Sequence, residues 1–253
     1  METGDRLLPL VGAYNFRDLG GYPAAGGRRT RWGRLFRSDT LHELTPEDLV
    51  VLRELGLRTV IDLRSVDEVQ QSGRGLLAHE PIDYRHLSVL ADDAEGESEA
   101  GPAPAGADLA DRYLWYLEVG RGALVKALGA MAEDDRYPIV FHCAAGKDRT
   151  GVLAALVLDL VGVEPAVIAQ DYVITAGRLD LIVARLRRDP VHGARMDQIP
   201  PSHLAVEIST MERFVDLLHR RLGGARAWAI GAGLDVAAAD RLGELLLEPE
   251  DVR

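Results

Sequence analysis

Cysteine is almost missing from this 253-residue chain, where Cys143 is the single one. One thiol forms no internal disulfide. Peroxide damage at Cys143 has no resolving cysteine to reverse it, which leaves only a sulfenamide or a small-thiol cap. Lysine is nearly as scarce: Lys126 and Lys147 stand among 29 basic residues, the rest arginine. Acids number 40, for a net charge of −11, and a field of that sign argues against nucleic-acid partners and against a stable hold on anionic membranes. Long apolar runs are lacking too. The most apolar stretch, Gly151 to Val163, is interrupted by Asp159 and is too short to cross a bilayer. The start, METGDRLLPL, carries neither the basic residues nor the apolar core of a secretory signal. A cytoplasmic location is the expectation, with signal-less export as the alternative. No repeat period or heptad pattern is present.

What is present suits a single domain over residues 1–253, since 47% of the chain is apolar and supplies one sizeable core. Strand signals fall at Arg34 to Arg37, Thr59 to Leu63, Tyr84 to Ser88 and Tyr137 to His142. Helix signals lie between them. Thr45-Pro46-Glu47-Asp48 starts a helix that Gly56 stops, a second covers Ala107 to Glu133, and a third runs from Thr150 toward Gly162. Further helical patterns cover Pro165 to Leu186, Ser202 to Leu222 and Asp235 to Leu247. This alternation predicts an α/β fold with a twisted, largely parallel central sheet flanked by helices, its ligand beyond the carboxyl ends of the strands. Residues 91–106, rich in Gly, Pro, Ala and acids, read as a flexible loop. Five arginines concentrate between residues 28 and 37, as a solvated face or as a basic rim that guides substrate.

The residues His142 to Gly151, HCAAGKDRTG, carry the chemistry. Cys143 follows an apolar strand and precedes a helix, so the loop between them turns helix-start N–H groups and the positive end of a dipole toward an anion. A thiolate is the nucleophilic form of cysteine. Arg149 adds a planar fork of donors matched to two phosphoryl oxygens, and Gly146 and Gly151 let the backbone close tightly. A nucleotide-binding P-loop fails here. Phe141 and Asp148 occupy the positions where that motif needs glycine and Ser or Thr.

Cysteine, five residues and arginine resemble the signature loop of cysteine-dependent protein tyrosine phosphatases. GKDRTG, together with NFRDLGG at Asn15 to Gly21 and LFRSD at Leu35 to Asp39, is similar to the bacterial and fungal branch known as atypical or triple-specificity phosphatases. The resemblance runs from about residue 12 to about residue 247. It implies a cysteine-phosphatase fold whose extra carboxy-terminal helices, over residues 163–200, form a lid. It further implies a protein-tyrosine phosphatase that needs no metal or cofactor and works through a phosphocysteine intermediate. The implied substrates are phosphotyrosine, then phosphoserine, phosphothreonine or phosphoinositides, presented by a phosphorylated protein or a lipid head group. Cys143 is then the nucleophile, Arg149 the clamp and His142 the residue that orients the loop. Ala144, Ala145, Gly146, Lys147 and Thr150 line the phosphate, with Thr150 donating its hydroxyl to the departing sulfur and Lys147 helping to hold an inositol head group. A lysine directly after the cysteine, found in some lipid phosphatases, is replaced by Ala144.

Monoester hydrolysis also requires a proton for the leaving oxygen. Three aspartates are candidates. Asp148 lies inside the loop, Asp62 ends the TVID strand segment, and Asp111 stands upstream at a spacing like that of ordinary dual-specificity phosphatases. Asp62 has an ion pair with Arg64 or a helix cap as its competing role, and Asp111 that of a helix-start acid. Asn15, Arg17 and Asp18 either buttress the loop or form a plain turn on Gly20 and Gly21. Two other classes stay open: a phosphate-recognition module without turnover, and sulfur transfer of the rhodanese kind. The oligomeric state is left undetermined by the sequence.

Overall fold

Alternating side chains build the sheet. On one face Phe36, Val140 and Val60 stand side by side, because Phe36 pairs with Val140 and Val140 with Val60. On the other, Leu35 lies beside Ile139 and Phe141 beside Ile61. The first set joins a smaller buried cluster and the second a larger one, so both sheet faces are covered, as parallel strands require. The computed structural model that shows this describes residues 6–90, 106–189, 191–197 and 199–248. The loop expected over 91–106 lies, apart from Gly106, outside the described residues.

The amino-terminal half contains β1 (Arg17–Asp18), β2 (Leu35–Ser38), α1 (Pro46–Glu54), β3 (Thr59–Asp62), α2 (Val66–Ser72) and β4 (Asp83–His86). Next come α3 (Leu109–Val119), α4 (Arg121–Met131), β5 (Ile139–His142) and α5 (Asp148–Leu160). The remainder is helical: α6 (Pro165–Val173), α7 (Leu179–Leu186), α8 (Gly193–Met196), α9 (Pro201–Leu204), α10 (Ile208–Leu222), α11 (Gly224–Gly231) and α12 (Val236–Leu246). Strand order is β1-β2-β5-β3-β4. β2, β5, β3 and β4 run parallel, and β1 alone pairs antiparallel, to β2. Among the described residues no helix is long and apolar enough to cross a membrane.

Four strands match their sequence signals within two residues, and β1 is an addition. At two residues it is too short to leave a periodic pattern. The expected helix start at Thr45 is a full capping box, with Thr45 and Asp48 each bonded to the other's backbone N–H. The helix expected over Ala107 to Glu133 is instead two. It breaks at Gly120, where an added Cβ would stand 2.6 Å from the Val89 side chain. The Pro165 to Leu186 pattern is likewise interrupted, by a 3-10 turn over Ile174–Arg178. The Ser202 to Leu222 pattern divides into α9 and α10 around residues 205–207.

These registers align Ser38, His142 and Asp62 at the carboxyl ends of three neighbouring strands. The chain leaves β5 at that edge as the Cys143 loop.

Candidate active site

His142 closes β5, four residues with under 3% exposure each, and the chain turns at once into Cys143. Five residues later α5 begins at Asp148, two residues earlier than the sequence pattern suggests. No side chain caps α5, so its first-turn N–H groups have no intrahelical partner and no capping oxygen. Gly146 adopts φ +65°, and a Cβ there would lie 2.5 Å from the Ser38 carbonyl oxygen and the Asp39 nitrogen. The loop is therefore pressed onto the end of β2 by a contact only glycine permits.

Its carbonyls point backward. Thr40 donates its N–H to the Ala144 oxygen at 3.1 Å. Arg37 Nη2 and Asn15 Nδ2 both donate to the Gly146 oxygen, at 2.8 and 3.2 Å. Behind them Asp171 of α6 accepts from Arg37 Nη1 at 2.6 Å, from Arg17 Nε at 2.9 Å and from the Tyr22 hydroxyl at 2.9 Å. All four of these side chains are buried. Burial opposes the charge on Asp171, but Arg17 and Arg37 outweigh it and hold the carboxyl below the ordinary carboxylate range. Asn15 and Arg17 thus brace the loop from behind, while Asp18 accepts from the Gly20 and Gly33 amides and shapes the neighbouring turn.

Arg149 is aimed by a residue the sequence reading did not single out. Glu68 of α2 takes its Nη1 at 2.5 Å and its Nη2 at 2.8 Å, and Nη1 also reaches the Leu63 oxygen at 3.3 Å. A guanidinium has five N–H groups. These three bonds leave Nε–H and one Nη2–H, which are parallel on one edge and make a fork with the geometry to take two oxygens of an anion. Burial works against the charge on Glu68, yet Arg149 and further donors hold it below the usual carboxylate range. A local signal for Glu68 exists, because Ser65 and Glu68 form the capping box that starts α2. What that box cannot reveal is the partner 81 residues away.

A cavity of about 460 Å³ opens above the loop, lined by Cys143, Ala144, Ala145, Lys147, Asp148 and Arg149. Leu179, Ile182 and Leu186 of α7, with Met196, His203 and Leu204, cover it from the far side. Cys143 is 2% exposed at its base. Lys147 is buried in the wall, where its Nζ donates to the backbone oxygens of His203 at 2.5 Å and Ala205 at 3.1 Å. Thr150 is fully buried, and its Oγ1 has no hydrogen-bond partner among the described residues.

The three candidate acids are separated by their surroundings. Asp148 lies at the cavity, half-buried, with Oδ1 accepting from the Tyr113 hydroxyl at 2.7 Å and ion-paired with Lys147 Nζ at 3.4 Å. Asp62 lies under the loop, fully buried and outside the cavity lining. It accepts from Arg64 Nε and Nη2 at 3.0 and 2.6 Å and from the Tyr84 hydroxyl at 2.8 Å, with His142 at 3.5 Å. Burial resists its ionisation, but His142 and Arg64 hold Asp62 below the usual carboxylate range. Asp111 sits in the first turn of α3 and pairs with Arg213 at 2.9 Å, also outside the lining. His142 is buried and pushed toward its neutral form by desolvation, and its Nδ1 lies 3.2 Å from the Cys143 oxygen.

Bacterial phosphatases have similar sequences. The triple specificity protein phosphatase PtpB of Mycobacterium tuberculosis is 34% identical over 205 residues, 70% of this chain and 72% of that protein. A tyrosine-protein phosphatase of Nostoc commune is 33% identical over 147 residues, 57% of this chain. The match spans about half, 49%, of the Nostoc protein. The model of the tyrosine phosphatase family matches residues 8–248, from the segment before β1 to the end of α12. With the Cys143–Arg149 loop at the mouth of β5 and that match over nearly its whole length, the chain belongs to the tyrosine phosphatase family.

Proposed function

We propose that this protein hydrolyses phosphate monoesters, phosphotyrosine foremost and phosphoserine, phosphothreonine and phosphoinositides in addition, by nucleophilic catalysis at Cys143. The observation that carries the reading is the single cavity onto which Cys143, Arg149 and Asp148 converge. The Cys143 thiolate attacks phosphorus as the ester P–O bond breaks, and Asp148 gives its proton to the departing oxygen. The parallel N–H pair of Arg149 and the α5 amides take the equatorial oxygens, whose charge grows in the transition state. A water then attacks the phosphocysteine while the Asp148 carboxylate accepts its proton. The S–P bond breaks, and phosphate and thiolate are released.

Asp148 is preferred to Asp62 because it lines the cavity, whereas Asp62 is bound on its buried side by Arg64 and Tyr84. Asp62 is read instead as a brace beneath the loop. Lys147 contributes a cation to the cavity wall, and a head-group phosphate would have to compete with the two carbonyls that Nζ now holds. Of the residues 163–200 expected to form a lid, α6 instead braces the loop from behind through Asp171, and the lid is read as α7 with the segment that continues through α9. The substrates are phosphorylated proteins and phosphoinositides of the cytoplasm.

The deciding experiment measures phosphate release from a phosphotyrosine peptide and from phosphoinositide vesicles, with EDTA present and Cys143→Ser as control. Turnover lost in the variant with phosphate binding kept supports the mechanism. Residual turnover in Cys143→Ser refutes it, and phosphopeptide binding without release by the wild-type chain replaces it with a recognition module.

A further inference from the structure

One buried hydroxyl is directed at the proposed acid. Tyr113 is fully buried in α3, one turn before Tyr116, which lines the cavity. Its ring is packed edge-on against Phe214, with centroids 5.7 Å apart, and against Tyr172, at 6.2 Å. Two aromatic contacts at these angles leave the ring little freedom to swing. Its hydroxyl lies 2.7 Å from Asp148 Oδ1 and 2.8 Å from the Tyr172 hydroxyl. A phenol has one hydrogen. If Tyr113 gives it to Asp148, Tyr172 must give its own to Tyr113, so the donors run in one direction: Tyr172, Tyr113, Asp148.

Oδ1 is therefore the occupied oxygen of Asp148, with Lys147 Nζ also on that side at 3.4 Å. A carboxylic acid carries its proton on one oxygen, and an oxygen already accepting from a hydroxyl and facing an ammonium is the poorer place for it. We propose that Tyr113 is a positioning residue that reserves Oδ1 as a permanent acceptor and confines the transferable proton of Asp148 to Oδ2. Asp148 can then lose and regain that proton while the Tyr113 bond persists, so the carboxyl keeps one orientation through both halves of the reaction. Burial, reinforced by Asp148, raises the Tyr113 hydroxyl well above its ordinary range, which keeps Tyr113 a donor throughout. This inference rests on Asp148 being the acid.

The test compares kcat/KM, which covers only the steps through departure of the leaving group and not the later hydrolysis common to all substrates, for Tyr113→Phe, Tyr172→Phe and Asp148→Asn over aryl phosphates whose leaving groups run from good to poor. Tyr113→Phe keeps the ring and its contacts and removes only the hydroxyl. The expected result is a steeper dependence on leaving group, with a loss of about tenfold on the poorest and little on the best, since general acid catalysis matters most for a poor leaving group. Tyr172→Phe should shift the dependence in the same direction by less, and it supplies the readout if Tyr113→Phe fails to fold. Added to Asp148→Asn, Tyr113→Phe should produce no further change, because an amide has no proton left to place. Equal slowing of every substrate by Tyr113→Phe, or additivity in the Asp148→Asn background, overturns the inference. Equal slowing by Asp148→Asn itself overturns the choice of acid instead.

Discussion

The floor and the roof of the cavity are held by different means. Beneath Cys143 the loop carbonyls are bonded by Arg37, Asn15 and Thr40, and Arg149 by Glu68, all in buried contacts, of which those of Arg37 and Glu68 are charge-assisted. Above it lie α7, α8 and α9, of eight, four and four residues, too short to be helical on their own strength. The root of the roof is secure, since buried Arg185 of α7 pairs with Asp39 and donates to the Gly12 oxygen at 3.2 Å. Farther along, the roof is tied by Lys147 to two backbone oxygens, by His192 to Glu68 at 2.8 Å and by Ser72 to Asp189 at 3.1 Å. Such a division makes the reacting geometry a property of the cooperative core and access a property of a few polar ties, which open at lower cost.

Cutting the floor should cost the whole molecule. Asp171→Asn leaves Arg17 and Arg37 sharing one neutral acceptor, and we expect a loss of about 3–5 kcal/mol of global stability, read as a lower urea midpoint with unchanged slope. Arg149→Lys replaces the fork with a point charge. It should lower kcat by about 10²–10³-fold while the protein stays folded, and a KM effect alone would remove Arg149 from the transition state. Lys147→Met should release the roof and take the ammonium away from Asp148, while leaving the contacts of the floor in place. Severing two charged hydrogen bonds is expected to raise proteolytic cleavage within residues 187–204 by about tenfold without moving the urea midpoint as Asp171→Asn does. A matching drop in both variants would erase the distinction between floor and roof.

A milder probe is pH. Burial keeps the His142 imidazole neutral and lowers its folded pKa below the ordinary value of about 6.5. The unfolded chain therefore takes up the proton first, so stability is complete above about pH 6.5 and declines as pH falls below it. Asp62, Glu68 and Asp171 have depressed folded values. Their contribution is present above about pH 4 and is lost as pH falls further. Melting temperatures should thus fall in two stages on acidification, and His142→Gln should weaken the first, to which His42, also lowered by burial, contributes as well. The smallest effect is expected from Arg213→Ala. Its ion pairs with Asp108 and Asp111 are exposed and should leave both Tm and kcat unmoved.

Local chemistry made much of this site legible in advance. A buried strand, a glycine loop and a helix start are all encoded within residues 138–151, and the capping box at Thr45 is likewise a four-residue signal. The partners that aim these residues are distant in the chain. Asp171 meets Arg37 across 134 residues and Glu68 meets Arg149 across 81, and nothing in one sequence marks such a pair. Gly120 shows a different limit. The apolar spacing from 109 to 131 continues through it, yet one helix ends and the next begins there, at a position where Val89 comes too close for any side chain.

By itself the sequence determined the Cys143–Arg149 motif, the strand-to-helix turn that presents it and the parallel sheet beneath, because each depends on contacts within a few residues or on simple periodicity. Tertiary structure decided which aspartate faces the cavity. Asp62 and Asp148 are both strand-end or helix-start acids in sequence, yet one is enclosed by Arg64 and Tyr84 while the other meets Tyr113 at the rim of the site. The physical reason is that what a carboxylate can do depends on its solvation and its nearest donors, and those are brought together only when distant segments pack.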